Sequence, residues 1–302
     1  MTIYHTLGRS GLKVSRLCLG TMMFGAQTDE ATSKTIINMA AERGLNFIDT
    51  ADVYNEGVSE EIVGRAIKSK RRDWVLATKV CNPMGTGPNQ AGLSRAWIMQ
   101  ACEDSLKRLG TDVIDLYYLH KEDHDTPLDE TVGIDRPIAS QPYYNAMNRM
   151  PEVEHLPACG HFGLGVVPYS PLARGVLTGK YDPNRPPPAG TRAGRQDKRM
   201  MQSEWRVESL DIAQEIKKHA EAKGAKPQHL ALGWVLNNRF ITSVIGGPRT
   251  IEQWQDYLDA LDYQFSADDE ALIDRLVPIG HPSTPGYNDP AYPLEGRKPV
   301  IG

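Results

Sequence analysis

Residues 46–67 read "NFIDTADVYNEGVSEEIVGRAI", and two secondary-structure periods meet inside them. The first half is a short apolar run that predicts a buried strand. The second half, from Ser59, carries apolar residues at helical spacing and predicts an amphipathic helix returning the chain to the next strand. Between them lie Asp49, Asp52, Tyr54 and Glu56, acidic and phenolic groups set where a strand opens into a helix. A strand that feeds a helix is half of a βαβ unit, so this stretch poses both the fold and the site.

The same rhythm extends on both sides. "IYHTLGRSGLKVS" (3–15) predicts a β-hairpin, with Gly8 and Gly11 about its turn, and "RLCLGT" (16–21) a short strand. "DEATSKTIINMAAERG" (29–44) predicts a helix stopped at Gly44. "WVLATK" (74–79) and "VIDLYYLH" (113–120) predict strands, with the helix "SRAWIMQACEDSLKRLG" between them. Further strands are predicted at 137–145 and 164–170. After a long polar loop come helices at 206–224 and 227–238, a strand at 242–247 and a helix at 251–261. A last helix is predicted over 266–277, with Ser266 as its cap and Asp269 at the third helical position. Strands alternating with helices imply a parallel sheet, and their nearly continuous apolar character implies that both faces are covered. No G-x-G-x-x-G follows the first strand, which disfavours a doubly wound dinucleotide fold. The expected class is therefore α/β, a (β/α)8 TIM barrel with an N-terminal β-hairpin, in a single domain over residues 1–302.

The strand count falls one short. Only "KEDHDTPLDETVGIDR" (121–136) separates the strand ending at His120 from the one starting at Pro137. A (β/α)8 barrel spends roughly 30 residues on each unit. These sixteen residues can carry a crossover but not a helix, a strand and a second helix. Seven barrel strands are expected, with one strand-helix unit absent between Gly133 and Ile134. Either the sequence lacks a segment that its natural parent carries, or the protein is a shortened variant.

Composition is that of an ordinary globular chain: 302 residues, 40% hydrophobic, 24% charged, net charge −4. Such a balance points to neither nucleic acid nor an anionic membrane as partner. No secretory leader and no run of about 18 apolar residues is visible, so a cytoplasmic protein is expected. Cys18, Cys81, Cys102 and Cys159 form no C-x-x-C pair and are expected as free thiols.

Asp49, Lys79 and His120 each end a predicted strand, and parallel strands of a barrel end on one face, where such enzymes place active sites. Tyr54 lies on the loop above. A free phenol has a pKa of about 10, and a neighbouring ammonium favours its ionised form. Lys79 can supply that charge, Asp49 can hold Lys79, and His120 can donate to a carbonyl oxygen. The set suits protonation of an oxygen while hydride arrives at its carbon. The hydride requires a cofactor, because no side chain donates one.

"FIDTADVYNEGVSEEIVGRAI", "LATKV", "DLYYLHKED" and "VPYSPLARGVLTGKY", in that order along nearly the whole chain, resemble the aldo-keto reductase family. The resemblance implies Asp49, Tyr54, Lys79 and His120 as a catalytic tetrad with Tyr54 as general acid. It implies NADPH at the barrel mouth and a small-molecule carbonyl substrate. Gly20 and Thr21 would lie by the nicotinamide, Gln141 would bond its carboxamide, and Tyr169 would stack on its ring. Ser170, Leu172, Arg174 and Gly175 would line the pyrophosphate. Gly247, Arg249, Gln253 and Asp256 would meet the adenosine end, with Arg249 suited to a 2′-phosphate through bidentate bonding. The family's Ser-Asn pair, which holds the carboxamide, has no counterpart; it belongs to the absent unit.

Other readings stand beside these. A nicotinamide-binding sensor or regulatory subunit fits the same motifs, and a metal-dependent hydrolase would use "HKEDHD" (120–125), although the segment reads better as a polar loop and no metal is expected. The Pro-, Gly- and Arg-rich stretch 184–199 is a solvated loop or a lid. Trp205 and Trp254 are expected as packing residues. Met22, Met23 and Phe24, and likewise Tyr143 and Tyr144, are either a substrate wall or internal packing. The sequence leaves homo-oligomerisation open.

Overall fold

The computed structural model describes residues 4–133 and 136–292. Its backbone contacts divide the chain into two compact units. Of the described residues, the first comprises 4–133, 136–141, 159–169 and 239–259, and the second 142–158, 170–238 and 260–292.

Among the described residues, all the strands belong to the first unit. β1 (Tyr4–Thr6) and β2 (Lys13–Ser15) pair antiparallel as the expected hairpin. Then follow β3 (Leu17–Gly20), α1 (Glu30–Glu42), β4 (Phe47–Asp49), α2 (Val58–Ile67), β5 (Val75–Val80), α3 (Arg95–Leu109) and β6 (Leu116–Leu119). A short α4 (Leu128–Val132) leads to β7 (Ala139–Ser140), α5 (His155–Phe162) and β8 (Gly165–Val166). Within the second unit lie α6 (Lys198–Ser203), α7 (Val207–Ala222) and α8 (Pro227–Asn237). The first unit closes with β9 (Val244–Gly246) and most of α9 (Ile251–Ala260), and α10 (Ala267–Leu276) returns to the second.

A parallel sheet runs β6-β5-β4-β3-β9. β8 joins it beside β9 through a parallel bridge from Val166 to Ile241, with the Ile245 N–H donating to the Pro168 carbonyl at 3.0 Å. β7 pairs parallel with β8. The strand order is thus β6-β5-β4-β3-β9-β8-β7, seven strands, and among the described residues no ladder joins β7 to β6. Among the described residues of the interval between them, 120–138, α4 is the one regular element. The absent unit expected there is absent in space as well.

Alternation along the strands builds two apolar layers. Cys18, Phe47, Val75, Ala77, Leu116, Tyr118, Val167 and Ile245 form one cluster, which Leu7 and Val14 of the hairpin region join. Their neighbours in sequence, Leu17, Leu19, Ile48 and Leu76, are also fully buried. They alternate to the opposite face. Leu, Ile and Val on both faces explain why the strands read as unbroken apolar runs. α2 and α3 approach closely at Gly64, where a Cβ would lie 2.1 Å from the Leu109 carbonyl oxygen.

Two expectations need correction. The strands predicted over 137–145 and 164–170 shrink to β7 and β8, two residues each. Pro137, Pro142 and Pro168 flank them and lack the N–H that a ladder requires. The helix α5 was not expected. Pro157 and Gly160 hide its signal, yet Pro157 occupies the first turn, where no intrahelical donor is needed. Gly160 leaves room for Phe240, whose ring carbon would lie 2.5 Å from an added Cβ. The short helices α4 and α6 were likewise not expected, whereas α1, α2, α3, α7, α8, α9 and α10 form where periodicity placed them. α10 begins in a capping box, with Ser266 accepting from the Asp269 N–H and Asp269 accepting from the Ser266 N–H. All four cysteines are free thiols.

Candidate active site

Parallel register gathers the candidate residues along one edge of the sheet. Gly20 lies beside Asp49, Asp49 beside Ala77, and Lys79 beside Tyr118. His120 follows β6 directly, its N–H bonded to the Val80 carbonyl at 2.8 Å. Lys79 is 1% exposed and Asp49 2%. The Lys79 Nζ donates to Asp49 Oδ1 at 2.5 Å, to the Thr50 carbonyl at 2.7 Å and to the Tyr54 hydroxyl at 3.2 Å. The Tyr54 and His120 rings meet edge to face with centroids 5.7 Å apart. The four tetrad candidates therefore form one constellation, though Asp49 and His120 stand 71 positions apart in the sequence.

The loop that carries Tyr54 is pinned by residues the sequence reading did not single out. Tyr54 opens a single turn, Tyr54–Gly57, in which Asn55, Glu56 and Gly57 all take positive φ. Asn55 Nδ2 donates to the carbonyls of Phe24 (2.6 Å) and Met22 (3.1 Å), which fixes that turn against the chain after β3. Ser59, at the start of α2, joins Thr21 and Thr50 through hydroxyl contacts of 2.9 and 3.0 Å. Glu60 is fully buried, accepting from Thr78 Oγ1 and from Arg108 Nε, each at 2.6 Å. The helix from Ser59 thus braces the rim as well as returning the chain. An Asx or Ser residue beside a positive-φ turn was the available signal for Asn55 and Ser59. Nothing in the sequence marks Glu60 as interior.

The electrostatics follow from burial and the Lys79 ammonium. Burial works against the charged lysine, but the Asp49 carboxylate and the Tyr54 oxygen outweigh it and hold the Lys79 pKa above its ordinary value. Burial pushes the Tyr54 phenol upward while Lys79 pulls it down; the net direction is up. Tyr54 therefore keeps its proton at neutral pH, with an ammonium in place to stabilise the phenolate when the proton leaves. Burial, then Lys79 and Lys121, lower His120 to about 3, so it is a neutral imidazole. Asp52, fully buried, is raised to about 6, chiefly by burial.

His120 has a second partner that the sequence did not announce. Asn82 Nδ2 lies 3.1 Å from His120 Nδ1. Asn82 follows Cys81, a buried residue with φ of +140°. Such a conformation costs a side-chain-bearing residue about 1–3 kcal/mol.

The cofactor candidates divide between the units. In the first, Gly20 ends β3, and a Cβ there would meet Ile245 at 2.6 Å. Thr21 is fully buried, and its hydroxyl donates to the Asp49 carbonyl at 3.0 Å. Gln141 Nε2 donates to Asp49 Oδ2 at 3.0 Å. Tyr169 packs, half-buried, against the strand cluster. Gly247 has no atom within 4 Å of the place a Cβ would take. The Arg249 N–H donates to Gln253 Oε1 at 2.9 Å, and its carbonyl accepts from Thr28. Asp256 lies within α9. In the second unit, Ser170, Arg174 and Gly175 all have positive φ, as does Ala173 beside Leu172. Within this turn the Ala173 N–H donates to the Ser170 carbonyl at 3.0 Å and the Gly175 N–H to the Leu172 carbonyl at 2.8 Å. Asn145 donates to the Ser170 carbonyl at 3.0 Å, and Arg174 Nε to Ser203 Oγ at 3.0 Å.

The alternative residues find plainer roles. In "HKEDHD", Asp123 accepts from the Leu93 N–H and from Thr126 Oγ1, both at 2.7 Å, while Glu122 and His124 are exposed. Phe24 and Trp254 are fully buried, Met23 is buried and Met22 is exposed. Trp205 packs edge-on to Tyr181. Tyr144 is buried against Trp234, and Tyr143 donates to the buried Glu204. Stretch 184–199 runs as turns into α6, where Arg199 pairs with Asp289.

The profile of the aldo/keto reductase family matches residues 16–135 and 132–278, two pieces that meet where the barrel unit is absent. An uncharacterized oxidoreductase of Bacillus subtilis, YrpG, is 35% identical over 332 aligned positions, covering 93% of this chain and 98% of the relative. That alignment is longer than the 302-residue chain, so the relative carries residues with no counterpart here. A probable voltage-gated potassium channel subunit beta of Arabidopsis thaliana is also 35% identical, with 91% of this chain and 93% of the relative covered. Among solved structures, the aldo-keto reductase AKR11C1 of Bacillus halodurans, in its holo form, superposes with a TM-score of 0.75 at 29% identity, covering 91% of this chain and 96% of that one. The fold is the (β/α)8 barrel of that neighbour, here one strand-helix unit short.

Proposed function

Because this chain belongs to the aldo-keto reductase family, and so to a family of oxidoreductases, we propose that it reduces a small aldehyde or ketone to an alcohol with NADPH, Tyr54 acting as general acid. Members of the family generally use NAD(P)H and act on small-molecule carbonyl compounds. The observation that carries the reading is the buried Lys79 Nζ, set between Asp49 Oδ1 at 2.5 Å and the Tyr54 hydroxyl at 3.2 Å.

In this reading Tyr54 gives its proton to the carbonyl oxygen as that oxygen gains charge. Lys79 stabilises the phenolate left behind, and Asp49 keeps Lys79 charged and aimed. His120, neutral, donates a hydrogen bond to the same oxygen. A bound nicotinamide would supply the hydride at the carbonyl carbon. The residues present fit such a group. The turn with positive φ at Ser170 and at Ala173–Gly175, which carries the Arg174 guanidinium, is proposed for the pyrophosphate. The open space at Gly247, ahead of α9, supports close backbone approach to the adenosine end, with Arg249 the proposed partner of a 2′-phosphate and Gln253 and Asp256 beside it. Gly20, Thr21, Gln141 and Tyr169 are proposed for the nicotinamide end. The family match runs across both units, so the reading treats residues 1–302 as one reductase domain.

A second reading, a nicotinamide-binding regulatory protein with little turnover, is favoured by one observation. The Ser-Asn anchor is absent, and the Gln141 amide that would help hold the carboxamide donates to Asp49 instead. The resemblance to channel subunits beta belongs to the same reading.

The deciding experiment follows the loss of NADPH absorbance with a panel of small aldehydes, for the chain and for Tyr54→Phe. Turnover that disappears in the variant supports the reductase. Nicotinamide binding without turnover in either protein supports the regulatory reading.

A further inference from the structure

We propose that Asn82 is a positioning residue that locks His120 in the tautomer bearing its proton on Nε2. Asn82 Nδ2 and His120 Nδ1 are 3.1 Å apart. With the amide nitrogen facing it, which only donates, Nδ1 is the acceptor and the proposal puts the ring proton on Nε2. His120 is half-buried, and its Nε2 has no protein partner among the described residues. The one N–H of the imidazole is thereby left for a group brought to the Tyr54 side, where the two rings meet edge to face. An unguided neutral imidazole would divide its proton between the two nitrogens, and the Nδ1–H form could only accept at Nε2.

The backbone is committed to this contact. Cys81, between β5 and Asn82, keeps a φ of +140° although it carries a buried side chain. Its carbonyl accepts from the Gly92 N–H at 2.8 Å, which ties the loop after β5 in place. On the other side, the His120 N–H bonds to Val80 two residues before Asn82. The strand that carries Lys79 thus fixes the histidine twice, once by its main chain and once through the first polar side chain beyond its end.

The kinetic consequence rests on the reductase reading, but the tautomer does not. The test is nitrogen-15 NMR of the full chain labelled at its eight histidines, with His120 assigned by the signal lost in His120→Gln. The wild type is expected to show Nε2 protonated and Nδ1 bare. In Asn82→Asp the carboxylate only accepts, so Nδ1 is expected to gain a proton, as the other tautomer or as the cation. Where the wild type turns over, Asn82→Asp is expected to lower kcat about tenfold or more, with the KM for NADPH unchanged. A wild-type His120 with its proton on Nδ1, or an Asn82→Asp spectrum identical to the wild type, overturns the proposal. If Asn82→Asp fails to fold, the wild-type spectrum decides alone. A chain without turnover that shows the Nε2–H form sinks the reductase reading and leaves this one standing.

Discussion

Lys79 and Asp49 meet at 2.5 Å with both side chains closed to solvent. A buried ion pair of this kind is costly to break from one side, because the surviving charge stays in the interior unpaired. Asp49→Ala is therefore expected to lose about 3–5 kcal/mol of stability in urea unfolding. A loss below about 1 kcal/mol would mean that Lys79 finds other compensation. Gln141, which donates to the second oxygen of the same carboxylate, is expected to have only a minor effect as Gln141→Ala.

Tyr54→Phe separates chemistry from folding. The hydroxyl contributes one 3.2 Å contact to Lys79, so stability should fall by only about 1 kcal/mol. Carbonyl reduction should fall by roughly 10²- to 10⁴-fold, the usual contribution of a positioned acid. Parallel unfolding and rate measurements check the pair. A variant that keeps its turnover would remove Tyr54 from the proton path.

Glu204 is fully buried, and its carboxyl is pushed up to about 7, foremost by burial and then by Asp289. Its ordinary value is 4.5. Below that pH both folded and unfolded chains hold the proton. Between 4.5 and 7 the unfolded chain releases it first, so stability falls as pH rises, by about 3 kcal/mol in all. Asp52, raised to about 6, adds to the fall. Neutral His120, lowered to about 3, opposes it below 6.5. Glu204→Gln retains an acceptor for Tyr143 and cannot titrate. Its stability relative to the wild type should therefore climb by about 2.5 kcal/mol from pH 5 to pH 8. Parallel curves for the two proteins would show that Glu204 titrates normally.

Gly64 is expected to tolerate no side chain. An added Cβ would lie 2.1 Å from the Leu109 carbonyl oxygen and 2.5 Å from its carbon, backbone against backbone. Gly64→Ala gains roughly 1 kcal/mol in helix propensity. The displacement of α3 should outweigh that gain and leave the variant less stable by about 1–3 kcal/mol. A raised Tm would show that the two helices separate freely.

Much of this was readable beforehand because period and punctuation agreed. Ser94 and Gly110 bound α3, and Ser266 with Asp269 starts α10, as their residue types demand. The strands carrying Asp49, Lys79 and His120 have no other reading than buried β. Even the absent unit was legible as an interval too short for its contents. What escaped notice depends on partners far away in sequence. Glu60 looks like any solvent-facing glutamate of a helix until Arg108, 48 positions on, closes over it. Asn82 looks like a loop residue until His120 arrives. β7 and β8 shortened because prolines border them. The sequence also suggested a lowered phenol in Tyr54, since the Lys79 charge is local and visible whereas the degree of burial is not.

The sheet gives the members of the tetrad unequal footing. β4 and β5 have a neighbouring strand on each side, whereas among the described residues β6 has one on a single side. Asp49 and Lys79 therefore sit in the interior of the fabric, and His120 hangs from its selvage. As the temperature rises, fraying should begin at that margin, and the histidine should wander while the lysine-carboxylate pair is still intact. The protein would then pass through a warm interval in which it remains folded yet has lost its grip on one hydrogen-bond donor, and the contacts from Val80, Asn82 and the Tyr54 ring delay it.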